Sequence, residues 1–139
     1  MTVADTRAVI EPYTANHDPS YLTDNAVFVH MATGERHEGR EAVGRMLNYM
    51  YHEAFDAHAE RVALIVGEGA ATLEATFVGR HIGAFAGIEP TGREVRVPLV
   101  VTYEVTPEGV SGARVYMAMS VMFAQLGAQP RATEAAASE

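Results

Sequence analysis

The sequence contains no cysteine and no tryptophan, and acidic residues outnumber basic ones. Without cysteine the chain cannot form a disulfide, a thiolate metal site or a thiol nucleophile. Ten Lys and Arg against eighteen Asp and Glu give a formal net charge of −8. Because such a chain repels polyphosphates and anionic lipids, we expect neither nucleic acid nor a membrane surface as a partner.

Long apolar runs and targeting signals are also missing from the sequence. No stretch of about eighteen consecutive apolar residues occurs, and residues 1–6 show no basic segment followed by an apolar run, as a secretion signal would. We therefore expect a cytoplasmic protein. The chain of 139 residues is long enough to bury one core. We predict a single domain over residues 1–127 and a disordered tail over the small, polar and aperiodic residues 128–139.

The apolar pattern predicts helices before a sheet. The strongest helix runs from Arg40 to about Phe55, where apolar residues recur at three- and four-residue spacing. Two short helical segments precede it, the second capped by Asp18 with Pro19 in its first turn. The other predicted elements are strands at 26–30, 35–38, 59–66, 71–80, 94–105 and 110–120, and a closing helix at 121–127. The last four strands form an antiparallel meander, so we predict an α+β fold with helices packed on a concave sheet.

Several of these strands carry apolar residues on both faces. Side chains alternate across a strand, so Leu73 and Phe77 share one face of theirs, and Arg114, Tyr116 and Ala118 share a face of the last strand. A sheet with one solvated face does not need apolar residues on both sides. We expect the surplus to line a cavity or to cover an interface.

Six histidines raise the question of a metal site. His52 and His58 are too far apart on a helix to act as the i, i+4 pair of a metalloprotease. For these two, and for His17 and His37, a solvated or hydrogen-bonded side chain is the simpler interpretation. We expect neither a metal nor a cofactor.

His30 differs from the other histidines because it ends the first strand. A side chain there can point between the sheet and the long helix. Partial burial moves the pKa of an imidazole through the neutral range, which suits a general base. A histidine that only satisfies a hydrogen bond in the core explains the same position, and the spacing leaves both interpretations open.

Three ordered segments carry a recognisable pattern. They read ATGERHEGREAV at 32–43, FVGRHIGAFAGIEPTGREVRVP at 77–98 and RVYMAMSVMFAQLG at 114–127. Over about residues 20–127 the chain resembles the SnoaL-like polyketide cyclases of the nuclear-transport-factor-2-like superfamily. The resemblance implies a cone-shaped barrel, in which N-terminal helices cap a strongly curved antiparallel sheet around a ligand pocket, and a homodimer.

The resemblance also assigns positions in the site. It places the catalytic carboxylate of the family at His30, and a second acid of the last strand at Ala118. An imidazole remains a competent base beside a carbonyl, whereas Ala118 can neither donate nor accept a proton. His81 matches the histidine of a Gly-x-His-x-Gly-x-Phe stretch, for which the resemblance implies a place at the pocket rim.

Five further residues complete the predicted site. Tyr116, Tyr103 and Tyr49 are candidates to donate a hydrogen bond to a developing enolate, although each also suits a core aromatic position. Phe77 is expected to contact the substrate. Arg114 could offset a negative charge on a ligand or form a surface salt bridge.

The leading hypothesis is a cofactor-free enzyme of the cyclase or isomerase type. In it, His30 removes a proton next to a carbonyl group of a small hydrophobic molecule, and Tyr116 assists. The main alternative is a non-catalytic small-molecule-binding protein of the same fold. An epoxide hydrolase, the third possibility, needs a water held by a carboxylate, and the sequence shows no obvious pair for it.

Overall fold

Six strands form one sheet, and three α-helices pack against it. The structure, a computed structural model, describes residues 1–127. The predicted tail at 128–139 lies outside the described residues. In chain order the elements are α1 (Val3–Asn16), a 3₁₀ turn (Pro19–Tyr21), β1 (Leu22–His30), β2 (Glu35–Glu38), α2 (Arg40–Asn48), a π-helical turn (Tyr49–Glu53), β3 (Phe55–Val66), β4 (Ala70–His81), β5 (Glu94–Thr106), β6 (Gly109–Met117) and α3 (Met119–Leu126).

The strand order is β2-β1-β6-β5-β4-β3. Strands β3 to β6 pair antiparallel with their neighbours, which confirms the predicted meander and the α+β class. Strand β1 enters the sheet beside the last strand and runs parallel to β6, so the sheet is mixed. The sheet does not close, since β2 and β3 remain its two edges.

Several boundaries differ from the sequence prediction, and β1 and β3 each begin four residues earlier than predicted. The long helix ends at Asn48 and widens into the π-helical turn, where the Ala54 N–H donates to the Tyr49 carbonyl at 2.7 Å. Strand β6 ends at Met117 rather than near residue 120. Its next partner on β5 is Pro98, which accepts from the Ala118 N–H at 3.1 Å but has no N–H with which to continue the ladder.

Alternating burial along the strands defines the inner face of the sheet. On β4 and β5 every second side chain is buried. These side chains form one hydrophobic cluster with Ile10 and Tyr13 of α1 and with Val43 and Met46 of α2. In the described part of the chain, no helix is long and apolar enough to cross a membrane.

The start of α1 is fixed by its own side chains and by a contact with the sheet. Thr2 and Asp5 form a capping box. The buried Thr6 hydroxyl accepts a hydrogen bond from the Gly69 N–H at 2.9 Å, in the turn before β4. The helix ends at His17, whose φ of 56° is left-handed. These contacts place the last turn of α1 over the inner face of the sheet.

Close packing of β3 on β4 makes Gly79 sensitive to substitution. A Cβ at Gly79 would lie 2.5 Å from the Ala57 Cβ and 2.9 Å from the Asp56 carbonyl oxygen. We expect Gly79→Ala to lower the free energy of unfolding by about 1–3 kcal/mol, as measured by urea titration. Gly44→Ala is the control, because it adds a methyl group within α2 at an ordinary 3.4 Å from Pro19. It should be neutral or stabilising by up to about 1 kcal/mol, and equal effects of the two substitutions would contradict the prediction.

Candidate functional site

An apolar cavity of about 40 Å³ lies between the sheet and the helices. Most of its wall consists of aliphatic, aromatic and methionine side chains from α1, α2, the π-helical turn and strands β1, β4, β5 and β6. The polar side chains in this wall are Tyr13, His17, His30, Tyr51 and Tyr103. Within residues 1–127, no carboxylate lines the cavity.

His30 lies where this apolar cavity meets two further hollows. One of these, the outer hollow, has a volume of about 340 Å³ and is also lined by Glu35, His37, Arg45 and Tyr49. The third has a volume of about 90 Å³ and is bounded by the loop after β1 and the start of α3. A molecule that extended from the apolar cavity into the outer hollow would therefore pass the imidazole of His30.

The surroundings of His30 keep its ring neutral. Burial lowers the pKa of this imidazole, and the neighbouring His37 lowers it further, whereas Glu35 acts in the opposite direction. A neutral imidazole has a free lone pair that can accept a proton. The structure therefore places a basic nitrogen at the edge of an apolar space.

The β1–β2 hairpin brings two more titratable side chains to His30. Glu35 pairs directly with His30, and His37 pairs with Phe28, so all four side chains lie on one face of the hairpin. The rings of His30 and His37 meet edge to face with centroids 5.4 Å apart. The ligand atoms of His30, Glu35 and His37 all lie within 4.8 Å of one another. Two imidazoles and one carboxylate form a donor set suited to a transition-metal ion.

Tyr13 supplies a hydroxyl group that the sequence analysis did not consider. The residue is buried and lines the apolar cavity, and its hydroxyl has no hydrogen-bond partner among the described residues. Burial raises the pKa of this phenol well above its usual value, so the hydroxyl stays protonated and can donate a hydrogen bond. The signal available in the sequence was the i, i+3 spacing of Ile10 and Tyr13, which puts both on one helix face.

His17 forms part of the cavity wall, whereas the sequence favoured a solvated or hydrogen-bonded side chain. Its ring stacks on Tyr51 with centroids 4.8 Å apart. The other side of this wall is a cleft of about 480 Å³, which His17, Leu47 and Tyr51 also line. Burial lowers the pKa of His17 to about 4. The stacked pair therefore separates the apolar cavity from the cleft.

The structure brings only some of the predicted residues together with His30. Phe77 and Tyr103 are buried and line the apolar cavity. Tyr49 lines the outer hollow, but its hydroxyl already donates to the Ala84 carbonyl. Tyr49 therefore has its proton committed to the backbone.

Tyr116 and Arg114 lie on the other face of β6. Val115 and Met117 take the inward positions and line the cavity, so alternation turns Tyr116 outward, where it is 45% exposed. Arg114 donates to the Glu104 carboxylate at 3.2 Å on the same outer face. The structure thus corrects the expectation that Tyr116 lies in the cavity, and for Arg114 it shows the alternative of a surface salt bridge.

His81 and Ala118 have structural positions instead of places in the cavity wall. His81 is fully buried, and its Nδ1 accepts from the Thr91 N–H at 3.1 Å, so it fixes the loop before β5. Ala118 is the N-cap residue of α3. Neither lines the apolar cavity, which corrects the expectation that they contact the substrate there.

The family model of the SnoaL-like polyketide cyclases matches residues 6–126. The chain belongs to the SnoaL-like polyketide cyclase family. Among solved structures, it is similar to a protein from Jannaschia sp. CCS1 assigned as a SnoaL-like polyketide cyclase, with 20% identity, 92% of this chain and 93% of that chain covered, and a TM-score of 0.74. No curated protein shows a significant match.

Two further solved structures show the range of SnoaL-like relatives. IdmH from Streptomyces antibioticus, assigned as a polyketide cyclase, has 19% identity, coverage of 91% and 99%, and a TM-score of 0.69. A protein from Kribbella flavida assigned as a ketosteroid isomerase has 17% identity, coverage of 82% and 78%, and a TM-score of 0.64. The likeness to these structures establishes the cone fold. Membership of the SnoaL-like polyketide cyclase family supports a general role of the cyclase type.

The position of His17 leads to a prediction about acid stability. Its folded-state pKa of about 4 lies below the unfolded value of 6.5, so protons bind the unfolded chain more readily. The contribution of His17 to the free energy of unfolding is complete above pH 6.5 and is lost as the pH falls towards 4. Between pH 7.5 and 4.5 we expect His17 to account for about 2–3 kcal/mol of lost unfolding free energy.

Urea unfolding of His17→Asn tests this contribution, because asparagine tolerates the left-handed backbone and does not titrate. The variant should lose less stability over this pH range than the wild-type protein, while His52→Asn, which removes an exposed histidine, should match the wild type. If His17→Asn shows the wild-type pH dependence, His17 does not titrate as a buried wall residue.

Proposed function

We propose that this SnoaL-like protein is an enzyme of the cyclase or isomerase type that needs no cofactor and uses His30 to remove a proton next to a carbonyl group. The supporting observation is the location of a basic imidazole at the junction of the apolar cavity and the outer hollow. The apolar wall suits a small hydrophobic substrate. Such a substrate would have its reacting carbon beside His30.

Tyr13 is the proposed partner of His30 in this reaction. When the C–H bond breaks, its proton goes to the His30 imidazole and its electron pair forms an enolate, with negative charge on the carbonyl oxygen. A preorganised hydrogen-bond donor stabilises that charge. Tyr13 lines the cavity, and its buried hydroxyl has no hydrogen-bond partner among residues 1–127, so it can donate without first giving up another partner.

The enolate then has two redox-neutral fates. Its carbon can attack a second carbonyl group of the same molecule, which closes a ring, and the resulting alkoxide takes the proton from the His30 imidazolium. Alternatively, in a substrate with a C=C bond next to the deprotonated carbon, the extended enolate regains the proton from His30 at a different carbon, which moves the double bond. Both routes return the imidazole to its neutral form, so neither requires an oxidant or reductant.

The size of the apolar cavity supports a small substrate. A volume of about 40 Å³ holds only a few water molecules, and typical ligand sites have about 300–1,000 Å³. Met46, Met50 and Met117 line the cavity, and methionine side chains adapt readily to a new neighbour. We propose that the substrate displaces these side chains and extends past His30 into the outer hollow.

A non-catalytic binding protein is the second candidate function. It is favoured by Ala118, which stands where the resemblance expects a second acid. An epoxide hydrolase is less well supported, because no carboxylate in residues 1–127 lines the apolar cavity. That the chain forms a homodimer also stays a proposal, for which light scattering after size-exclusion chromatography is the test.

Proton exchange tests the role of His30. The probe is 2-tetralone deuterated beside its carbonyl, and NMR follows the replacement of deuterium by solvent hydrogen. We expect His30→Gln to slow the protein-catalysed exchange at least about a hundredfold, because general-base catalysis contributes about 10²–10⁴-fold. His52→Gln, which removes an exposed histidine, is the control.

Three results would contradict the proposal in different ways. An unchanged exchange rate in His30→Gln would exclude this residue as the base. Equal losses in His30→Gln and His52→Gln would indicate an effect unrelated to the site. Binding of the ketone by the wild-type protein without any exchange would favour the binding-protein alternative.

Tyr13→Phe should change activity and stability in opposite directions. Removing the hydroxyl takes away the proposed enolate donor, so exchange should slow about a hundredfold. The free energy of unfolding should stay the same or rise by up to about 1 kcal/mol, because the wild-type hydroxyl is buried without a partner. A loss of stability in urea would show that the hydroxyl is hydrogen-bonded in the folded protein, which contradicts its proposed availability.

A further inference from the structure

The inner face of the β1–β2 hairpin carries a group of side chains that the proposed reaction does not fully use. Residue pairing places His30 opposite Glu35, and His37 follows two positions after Glu35 on the same face. Their donor atoms lie within 4.8 Å of one another. Coordination bonds of about 2.0–2.2 Å to a tetrahedral ion require donor atoms about 3.3 Å apart. The donor atoms must therefore approach one another by at most about 1.5 Å.

The state of His37 is a second, independent observation. Its Nε2 atom is buried and has no hydrogen-bond partner among the described residues. The nearest Glu35 carboxylate oxygen is 3.7 Å away, which is beyond hydrogen-bonding distance. A buried ring nitrogen without a partner costs stability, and a ligand bound between His37 and Glu35 would satisfy it.

From these two observations we propose that the hairpin binds a divalent transition-metal ion through His30, Glu35 and His37. Two imidazoles and one carboxylate favour an ion such as Zn²⁺ or Co²⁺ over Mg²⁺ or Ca²⁺, which prefer oxygen ligands. Three protein ligands leave a coordination position open. The cluster lines the outer hollow, so that position faces space that a small molecule can reach.

The initial expectation of no metal rested on histidine spacing within a helix. It could not consider His30 and His37, because their proximity depends on the pairing of two strands. The other charged side chain that lines this hollow is Arg45. Its guanidinium opposes a bound dication, so it lowers the affinity without contributing a ligand.

Metal binding and the proposed proton transfer exclude each other at His30. A neutral imidazole has one free lone pair, and a lone pair donated to a metal cannot accept a proton from a substrate. A bound metal therefore prevents His30 from acting as the base. This inference goes beyond the proposed function, and metal binding itself does not depend on that function.

Cobalt titration of the full chain tests the site directly. After treatment with EDTA and its removal, Co²⁺ is added while the visible d–d absorption is recorded. We expect saturation at one equivalent per chain, with an intensity typical of four or five ligands. His37→Asn and Glu35→Gln should each weaken binding at least about tenfold, and Arg45→Gln should strengthen it.

Glu38→Gln is the matched control, because it removes a carboxylate on the outward face of the same strand. It should bind Co²⁺ like the wild-type protein. Absence of cobalt binding at millimolar concentration would overturn the proposal. Binding that is unaffected by both His37→Asn and Glu35→Gln would overturn it as well.

Inhibition of deuterium exchange by Zn²⁺ tests whether metal binding prevents His30 from acting as the base. If the wild-type protein catalyses deuterium exchange on 2-tetralone, one equivalent of Zn²⁺ should inhibit the exchange, and EDTA should restore it. In His37→Asn, inhibition of the exchange should require at least about tenfold more Zn²⁺ than in the wild-type protein. The proposed exclusion would be overturned if Zn²⁺ did not slow the exchange in wild-type protein whose metal site Co²⁺ had been shown to saturate. If no exchange occurs at all, the proposed function fails, and the Co²⁺ titration still decides the metal site.

Discussion

Strand β1 is hydrogen-bonded on both sides, antiparallel to β2 and parallel to β6, and the candidate site depends on this double pairing. Pairing with β6 holds His30 beside Val115, at the edge of the apolar cavity. Pairing with β2 sets Glu35 and His37 on the same face as His30. A shift of β1 against β6 by one residue would turn His30 to the opposite face of the sheet, and a shift of β2 against β1 by one residue would turn Glu35 and His37 away from His30.

The cavity combines an apolar wall with the buried Tyr13 hydroxyl, which has no hydrogen-bond partner among residues 1–127. Leaving a buried polar group unsatisfied costs about 1–3 kcal/mol, and the fold tolerates this cost at the point where α1 crosses the sheet. The neutral rings of His17 and His30 reduce the cost elsewhere, because burial lowers the pKa of each and so removes their charge. The result is an uncharged wall with a donor and basic nitrogens, which is suited to polarising a carbonyl group.

The sequence was sufficient to predict features that depend on local periodicity. The meander, the main helix, the capped turn at Pro19 and the last helix before Gly127 all follow from spacing and turn residues. Alternation also grouped Arg114 with Tyr116 correctly. It could not tell which face of β6 points inward, because both faces carry large side chains, and pairing with β1 and β5 makes that choice. The predicted roles of Tyr116 and Ala118 therefore did not match their positions.

Features that depend on long-range contacts lay beyond the sequence analysis. His37 approaches His30 because the loop at 31–34 sets a specific register, which spacing alone does not determine. His17 enters the wall because α1 ends in a left-handed residue that directs its ring onto Tyr51. In both cases an ordinary histidine acquires a special environment from a neighbour distant in the chain.

Histidine at position 30, where the family resemblance implies a carboxylate, affects what the site can bind as well as what it can deprotonate. A carboxylate in the apolar cavity would resist burial unless paired with a charge, whereas an imidazole can remain there in its neutral form. The same neutral nitrogen is also a stronger ligand for borderline metal ions than a carboxylate oxygen. Because Glu35 and His37 already stand on its outer side, the histidine that makes an apolar site compatible with a base also completes a metal-binding donor set. Proton transfer and metal binding are thus two consequences of one residue choice, and occupancy of the hairpin decides which of them His30 can perform.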